Sequence, residues 1–308
     1  MTRPVRREYV DGRFGQVHLR CAKPVRPGGI PLVCLHMSPM SGRVFEKFAA
    51  EMAENRPVFA LDTPGFGMSD PPPAPPRIED YAASTFAALD ALGLAGPVDL
   101  IGYHTGAMTA VQMAADAGER VRRVIMIGAP ILTPEERTAF AEHYRHRAPQ
   151  ADGSHVLRRW QGFYHHHHRP GVSVAAINDM FREALLGGND EWWGHAAAFA
   201  HDLTAAMRRS ASATLVLATG DDLETQTWRA EGSGENYRVA AVPGWGHGFL
   251  DHHAGEVAAF LSAWLDGPAG IVPPTPASAL GPRYPAADGP FGPASEPEPP
   301  HHPERNAG

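Results

Sequence analysis

One stretch, Val98-Asp-Leu-Ile-Gly-Tyr-His-Thr-Gly-Ala107, limits what this chain can fold into more than any other. A short apolar run meets Gly102-x-x-x-Gly106 and passes at once into an Ala-rich, Met-containing segment of helical character. Small residues two before and two after a central position allow a tight strand–turn–helix, which projects one side chain from a strained backbone. The central residue is His104.

The segments around it repeat the strand–helix theme. Apolar runs at Pro31–His36, Pro57–Asp62, Val98–Ile101, Val121–Ile127, Thr214–Ala218 and Tyr237–Val242 read as strands covered on both faces. Helices are expected at about 43–54, 79–92, 105–116 and 254–265, and a hairpin turning at Asp11-Gly12 precedes them all. Short joints between alternating strands and helices imply a mainly parallel sheet with helices on both faces, an α/β architecture. Residues 133–210 break this rhythm with helical patterning and no convincing strand. They hold Trp160, Phe163, Tyr164, Trp192, Trp193, Phe199 and His201, and read as a helical lid over the carboxyl ends of the strands.

Composition sets the outer limits. The segment 267–308 carries 12 Pro and 6 Gly in 42 residues and is expected to be disordered. The core is then 1–132 with 211–266, and the lid is 133–210. A net charge of −7 leaves no basic footprint for nucleic acid. No run of 18 apolar residues and no apolar signal core occur, so no membrane partner is expected and a cytoplasmic location is. Cys21 and Cys34 fall in strand-like runs and are expected as reduced, buried thiols.

Four further segments fall in a telling order around the turn: Leu35-His-Met-Ser-Pro39, Leu61-Asp-Thr-Pro-Gly-Phe-Gly-Met-Ser-Asp70, Leu217-Ala-Thr-Gly-Asp-Asp-Leu223 and Pro243-Gly-Trp-Gly-His-Gly-Phe249. With the turn at 104, the chain resembles the α/β-hydrolase superfamily over about residues 7–266. That family carries G-x-S-x-G at its nucleophile elbow, then an acid and a histidine in that order. Here histidine replaces the serine, cysteine or aspartate of the family. The resemblance implies an inserted cap and a site built from His104, Asp222 and His247. It also implies oxyanion donors at the N–H groups of Thr105 and of Met37 or Ser38. His36, Tyr103, Trp160, Tyr164, Trp192 and Trp193 are expected to line the substrate pocket. Asp221 adjoins Asp222, and either carboxylate can serve as the acid, with Asp222 favoured.

The chemistry follows from residue type. His247 requires a carboxylate to fix its tautomer and stabilise its imidazolium. His104, at a helix N-terminus, is expected to have a lowered pKa. It can attack a carbonyl itself, work with His247 as an acid–base pair, or be inert. His36, His104, His247 and Asp222 together suit zinc by type, but no local ligand spacing supports a site, so neither metal nor cofactor is expected. His165–His168 reads as a surface lid loop. An elbow without aspartate argues against epoxide-hydrolase and haloalkane-dehalogenase mechanisms, and one without serine against ordinary esterases. The expectation is hydrolysis of an ester, lactone or similar carbonyl on a hydrophobic small molecule. The alternatives are a lyase, cyclase or decarboxylase using both imidazoles, and an inactive ligand-binding homologue. Oligomeric state is not encoded in any of these features.

Overall fold

A computed structural model describes residues 4–25, 28–169 and 172–281. Its strands are β1 (Arg6–Gly12), β2 (Gly15–Ala22), β3 (Leu32–Leu35), β4 (Val58–Leu61), β5 (Val98–Tyr103), β6 (Val121–Ile127), β7 (Ala213–Thr219) and β8 (Tyr237–Val242). They form one sheet in the order β1-β2-β4-β3-β5-β6-β7-β8, parallel from β4 to β8, with β1 and β2 antiparallel. Every residue of β3, β4 and β5 is buried, so these runs are apolar and do not alternate, except for Asp99 of β5, which is paired with Arg56 and Arg122. β1, at the edge, alternates between exposed and half-buried positions instead. The hairpin turns at Arg13-Phe14, two residues later than the sequence suggested, because Gly12 still pairs with Gly15. Gly15 supplies the positive φ there, +122°.

The helices are α1 (Glu46–Met52), α2 (Ile78–Ala91), α3 (Thr105–Ala117), α4 (Pro134–His143), α5 (Ser154–His167), α6 (Val174–Ala184), α7 (Trp192–Ala200), α8 (Leu203–Arg209), α9 (Glu224–Thr227), α10 (Phe249–His252) and α11 (Ala254–Asp266). One apolar cluster joins α2, α3 and α8 to one face of the sheet, and a second joins α1 and α11 to the other. Burying each large apolar side chain in these layers contributes about 1.5–3 kcal/mol. α4 to α8 fill the interval between β6 and β7, with no strand among the described residues. Their start is fixed by Thr133, whose hydroxyl accepts from the Glu136 N–H while the Glu136 carboxylate accepts from the Thr133 N–H. Cys21 and Cys34 are buried and unbridged.

The expected boundary at Gly267 needs correction. Residues 268–281 continue over the body, and a short 3-10 turn, Ala277–Leu280, buries Ala279 completely. The Ser278 hydroxyl accepts from the Trp245 indole N–H at 3.0 Å and donates to Glu256 at 2.6 Å. The Gly244 N–H donates to the Ala279 carbonyl at 2.8 Å. Proline and glycine counts measure the cost of helix and strand, and they are blind to a non-repetitive segment anchored by side-chain and backbone hydrogen bonds. The rest of the expected disordered segment, 282–308, lies outside the described residues. Ending the chain at Gly267 is therefore expected to lower the melting temperature by several degrees, measured by circular dichroism. Ser278→Ala alone should remove about 1 kcal/mol.

Candidate active site

The turn from β5 to α3 is built as its glycines require. A Cβ on Gly102 would lie 2.2 Å from the Gly106 carbonyl oxygen, and one on Gly106 would lie 2.0 Å from the Leu35 oxygen. Only glycine lets strand, turn and neighbouring strand approach this closely. His104, between them, has φ +46° and ψ −106°, the one positive φ outside glycine among the described residues. Such a backbone costs about 1–3 kcal/mol and persists only where its surroundings hold it. Here the His104 N–H donates to the Ile127 carbonyl at 2.9 Å, and its carbonyl accepts from Ala107 and Met108.

Both carboxylates after β7 are used, each by a different imidazole. Asp221 Oδ2 meets His104 Nε2 at 3.1 Å, and Asp222 Oδ1 meets His247 Nε2 at 2.6 Å. Asp221 is further fixed by the Thr219 hydroxyl at 2.7 Å and the Leu223 N–H at 3.0 Å. The two imidazoles face edge to plane, 5.5 Å between centroids. On its other side the His247 ring presents Nδ1 to the Tyr103 hydroxyl at 3.3 Å. Burial, aided by Asp221 and Asp222, keeps the Tyr103 phenol well above its ordinary pKa, so it is protonated and donates to Nδ1. Assigning Nε2–H to His247, as donor to Asp222, satisfies all three groups.

Electrostatics reverse one expectation. Burial works against a charge on His104, but the charge and hydrogen bond of Asp221, with Asp222 behind it, outweigh burial and raise its pKa. The helix N-terminus was expected to lower it. An ionised carboxylate in hydrogen-bond contact is the stronger field. Burial likewise opposes the Asp222 charge, yet the His247 hydrogen bond and the nearby imidazoles hold that carboxyl well below the usual range.

The loop after β3 is braced from outside. His36 Nδ1–H donates to the Met37 carbonyl at 2.9 Å and its Nε2 accepts from the Thr63 N–H at 2.8 Å. Both ring nitrogens are spent, so His36 is a strut of this loop and no metal ligand. Thr63 belongs to the glycine-rich loop after β4, which folds around Asp62. That carboxylate accepts from the Gly42 N–H at 2.8 Å, the Met68 N–H at 2.9 Å and His18 Nδ1 at 2.8 Å. Ser38 faces α7, under Gly194, where a Cβ would lie 2.1 Å from its hydroxyl. Thr105 opens α3, and its N–H belongs to the first turn, which has no intrahelical acceptor.

The inserted helices contribute imidazoles that the sequence reading had set aside. The run His165–His168 is no surface loop: it forms the last turn of α5 and its cap, and His167 is buried. Its ring lies 4.9 Å from that of His247, and the ring of His166 lies 5.9 Å away. Burial pushes His166 down to about 4 and His167 well below its ordinary value, so both are neutral at pH 7. His195 of α7 stacks on Tyr144 at 4.3 Å and is pushed to about 4, by burial and then by His104. Trp160 packs on Tyr164 and Phe181, and Trp192 on Trp193 and His146, within the inserted helices themselves. Two sets of donor atoms fall within 4.8 Å of one another: His166 with Asp222 and His247, and His104 with Asp221 and Asp222.

The alpha/beta hydrolase fold family model matches residues 30–207, which hold the strained strand–helix turn; the acid pair after β7 and the histidine after β8 follow that match in the chain. The chain belongs to the α/β-hydrolase fold family. Among solved structures it is similar to a thermophilic esterase from Thermogutta terrifontis, with 20% identity, 85% of this chain and 98% of that chain covered, and a TM-score of 0.65. The enol-lactonase from Burkholderia xenovorans gives 21%, 84%, 100% and 0.68. An epoxide hydrolase from an endophytic Streptomyces gives 17%, 85%, 96% and 0.66. In this α/β-hydrolase fold chain the residue at the strained turn is a histidine with a carboxylate of its own.

Gly128, just after β6, makes that pairing possible. It has φ +61°, and a Cβ there would lie 2.5 Å from both Cδ2 and Nε2 of His104 and 3.2 Å from Asp221 Oδ2. No motif marks it in the sequence, because its constraint comes from a side chain 24 positions earlier. Gly128→Ala is expected to push the His104 ring off Asp221. The check is the His104 imidazole resonance, which should shift and titrate at lower pH than in wild type.

Proposed function

We propose that this chain hydrolyses an ester, lactone or similar activated carbonyl on a hydrophobic small molecule, with His104 where its family carries a nucleophile. The reading rests on one observation: two complete His–Asp pairs face one another at the ends of β5, β7 and β8. Nε2–H of His104 is donated to Asp221, which leaves Nδ1 basic, and no capping bond occupies that side chain. A histidine so paired is a base. It takes a proton from water as the water oxygen bonds to the carbonyl carbon, and the carbonyl π pair moves onto oxygen.

The N–H of Thr105 and that of Met37 or Ser38 would hold the resulting oxyanion. Collapse expels the alkoxide, which takes the proton that His104 gained, and His104 returns to its neutral form. His247, held between Asp222 and the Tyr103 hydroxyl, stays beside the reacting groups as a fixed hydrogen-bonding imidazole, and water has been added across the bond with no cofactor. α4 to α8 act as a cap in this scheme, and Trp160, Tyr164, Trp192 and Trp193 would give it an apolar wall suited to a hydrophobic substrate. Two unbridged cysteines fit the cytoplasm. Among the described residues no helix is long and apolar enough to cross a membrane.

A panel of esters and lactones, assayed with wild type and His104→Ala, tests the scheme. The variant is expected to lose at least about 100-fold in kcat/KM, the usual contribution of a positioned base. In water labelled with oxygen-18, the acid product should carry one label. Turnover without label would instead assign the two imidazoles to a lyase or related proton-transfer reaction.

The pH profile provides a second test. Only neutral His104 is a base, and its pKa lies above the ordinary 6.5, so activity should rise with pH through a limb above that value. Asp221→Asn removes the main group raising that pKa while burial still lowers it, so the limb should move to lower pH as the maximal rate falls.

A further inference from the structure

We propose that the cleft between the end of α5 and the loops after β7 and β8 binds one divalent transition-metal ion of the zinc class. Its ligands are His166, Asp222 and His247. Each brings one ligand atom, all within 4.8 Å of one another. Bonds of about 2.0–2.2 Å place tetrahedral ligand atoms roughly 3.3–3.6 Å apart, so small side-chain rotations close the set. Two imidazoles and one carboxylate suit zinc, cobalt or nickel, and the remaining position is left to water.

The three ligands come from separate parts of the chain. Asp222 and His247 belong to the core, and His166 to an inserted helix. The site is thus distinct from any chelate that the His165–His168 run could form alone. A second contact is already in place for one ligand: the Tyr103 hydroxyl sits 3.3 Å from His247 Nδ1, the kind of outer partner that fixes the orientation of a metal-bound imidazole.

Proton bookkeeping is internal to that ring. Without metal, His247 Nε2–H donates to Asp222 at 2.6 Å. Coordination through Nε2 needs its lone pair, so the ring proton moves to Nδ1 and is donated to the Tyr103 oxygen. No proton leaves the ring. The hydrogen bond to Asp222 and the metal bond exclude each other, so an ion here ends the His247–Asp222 pairing described above. It also fastens α5 to the sheet.

Metal binding itself is independent of the hydrolytic reading, and the test keeps them apart. The full chain, without a histidine tag and stripped by chelator, is titrated with cobalt(II) and followed by visible absorption. The expected result is one equivalent giving the d–d bands of four- or five-coordinate cobalt, erased by zinc. Asp222→Asn and His166→Gln should each weaken binding at least tenfold. His168→Ala, at an exposed position next to the site, should not. Circular dichroism verifies the fold of each variant, and should Asp222→Asn not fold, His166→Gln, at a half-buried helix position, decides alone. Absent bands, bands that survive His166→Gln, or bands lost in His168→Ala would each overturn the proposal. Activity of the stripped protein bears on hydrolysis only.

Discussion

The strained backbone at His104 is the constraint from which the rest of this site follows. An L-residue with φ +46° is held there by a hydrogen bond to β6, by the first turn of α3 and by glycines that let three segments meet. Positions 102 and 106 are set by backbone contact, and 128 by the imidazole itself. Because the turn holds that ring at the carboxyl edge of the sheet, Asp221 can reach it from the loop after β7. A relaxed turn would leave Asp221 as a buried carboxylate with only a hydroxyl and one N–H for company.

Adjacent carboxylates repel, and a fold keeps both ionised only by giving each its own counter-charge or donor. Asp221 and Asp222 are neighbours in the chain, yet they point to different imidazoles. The cost of placing two negative groups in a closed cleft is thereby spread over two His–Asp pairs. The neutral rings of His166, His167 and His195 surround the pairs without adding charge. The cleft can therefore hold much imidazole without strong mutual repulsion. Neutral rings also have lone pairs to give.

Much of this was legible before any coordinates. Strands buried on both faces announce themselves as continuous apolar runs, and glycine spacing around His104 encodes a backbone path directly. The order of the loops bearing Asp62, Asp221, Asp222 and His247 follows from the strands that carry them. Other features were hidden for definite reasons. Residues 133–210 carry helical patterning, but nothing local says which side of an inserted helix meets the sheet, so His165–His168 read as a surface loop, although they form the last turn of α5 and its cap. Which of two successive aspartates faces His247 depends on side-chain direction after a strand end. Gly128, Tyr144 and His195 matter only through residues far away in sequence. The segment 268–281 misled because its contacts are single hydrogen bonds and one buried alanine, none of which has a period.

That last segment has a consequence for how the protein comes into being. Domains are made from the N-terminus onward. The eight strands and α11 are complete before Ser278 and Ala279 exist to grip Trp245 and Gly244. The loop that carries His247 is therefore the last part of the site to gain its support, although its strand is already paired. A ribosome that stops near Gly267 would release a chain with a finished sheet and an unfinished site.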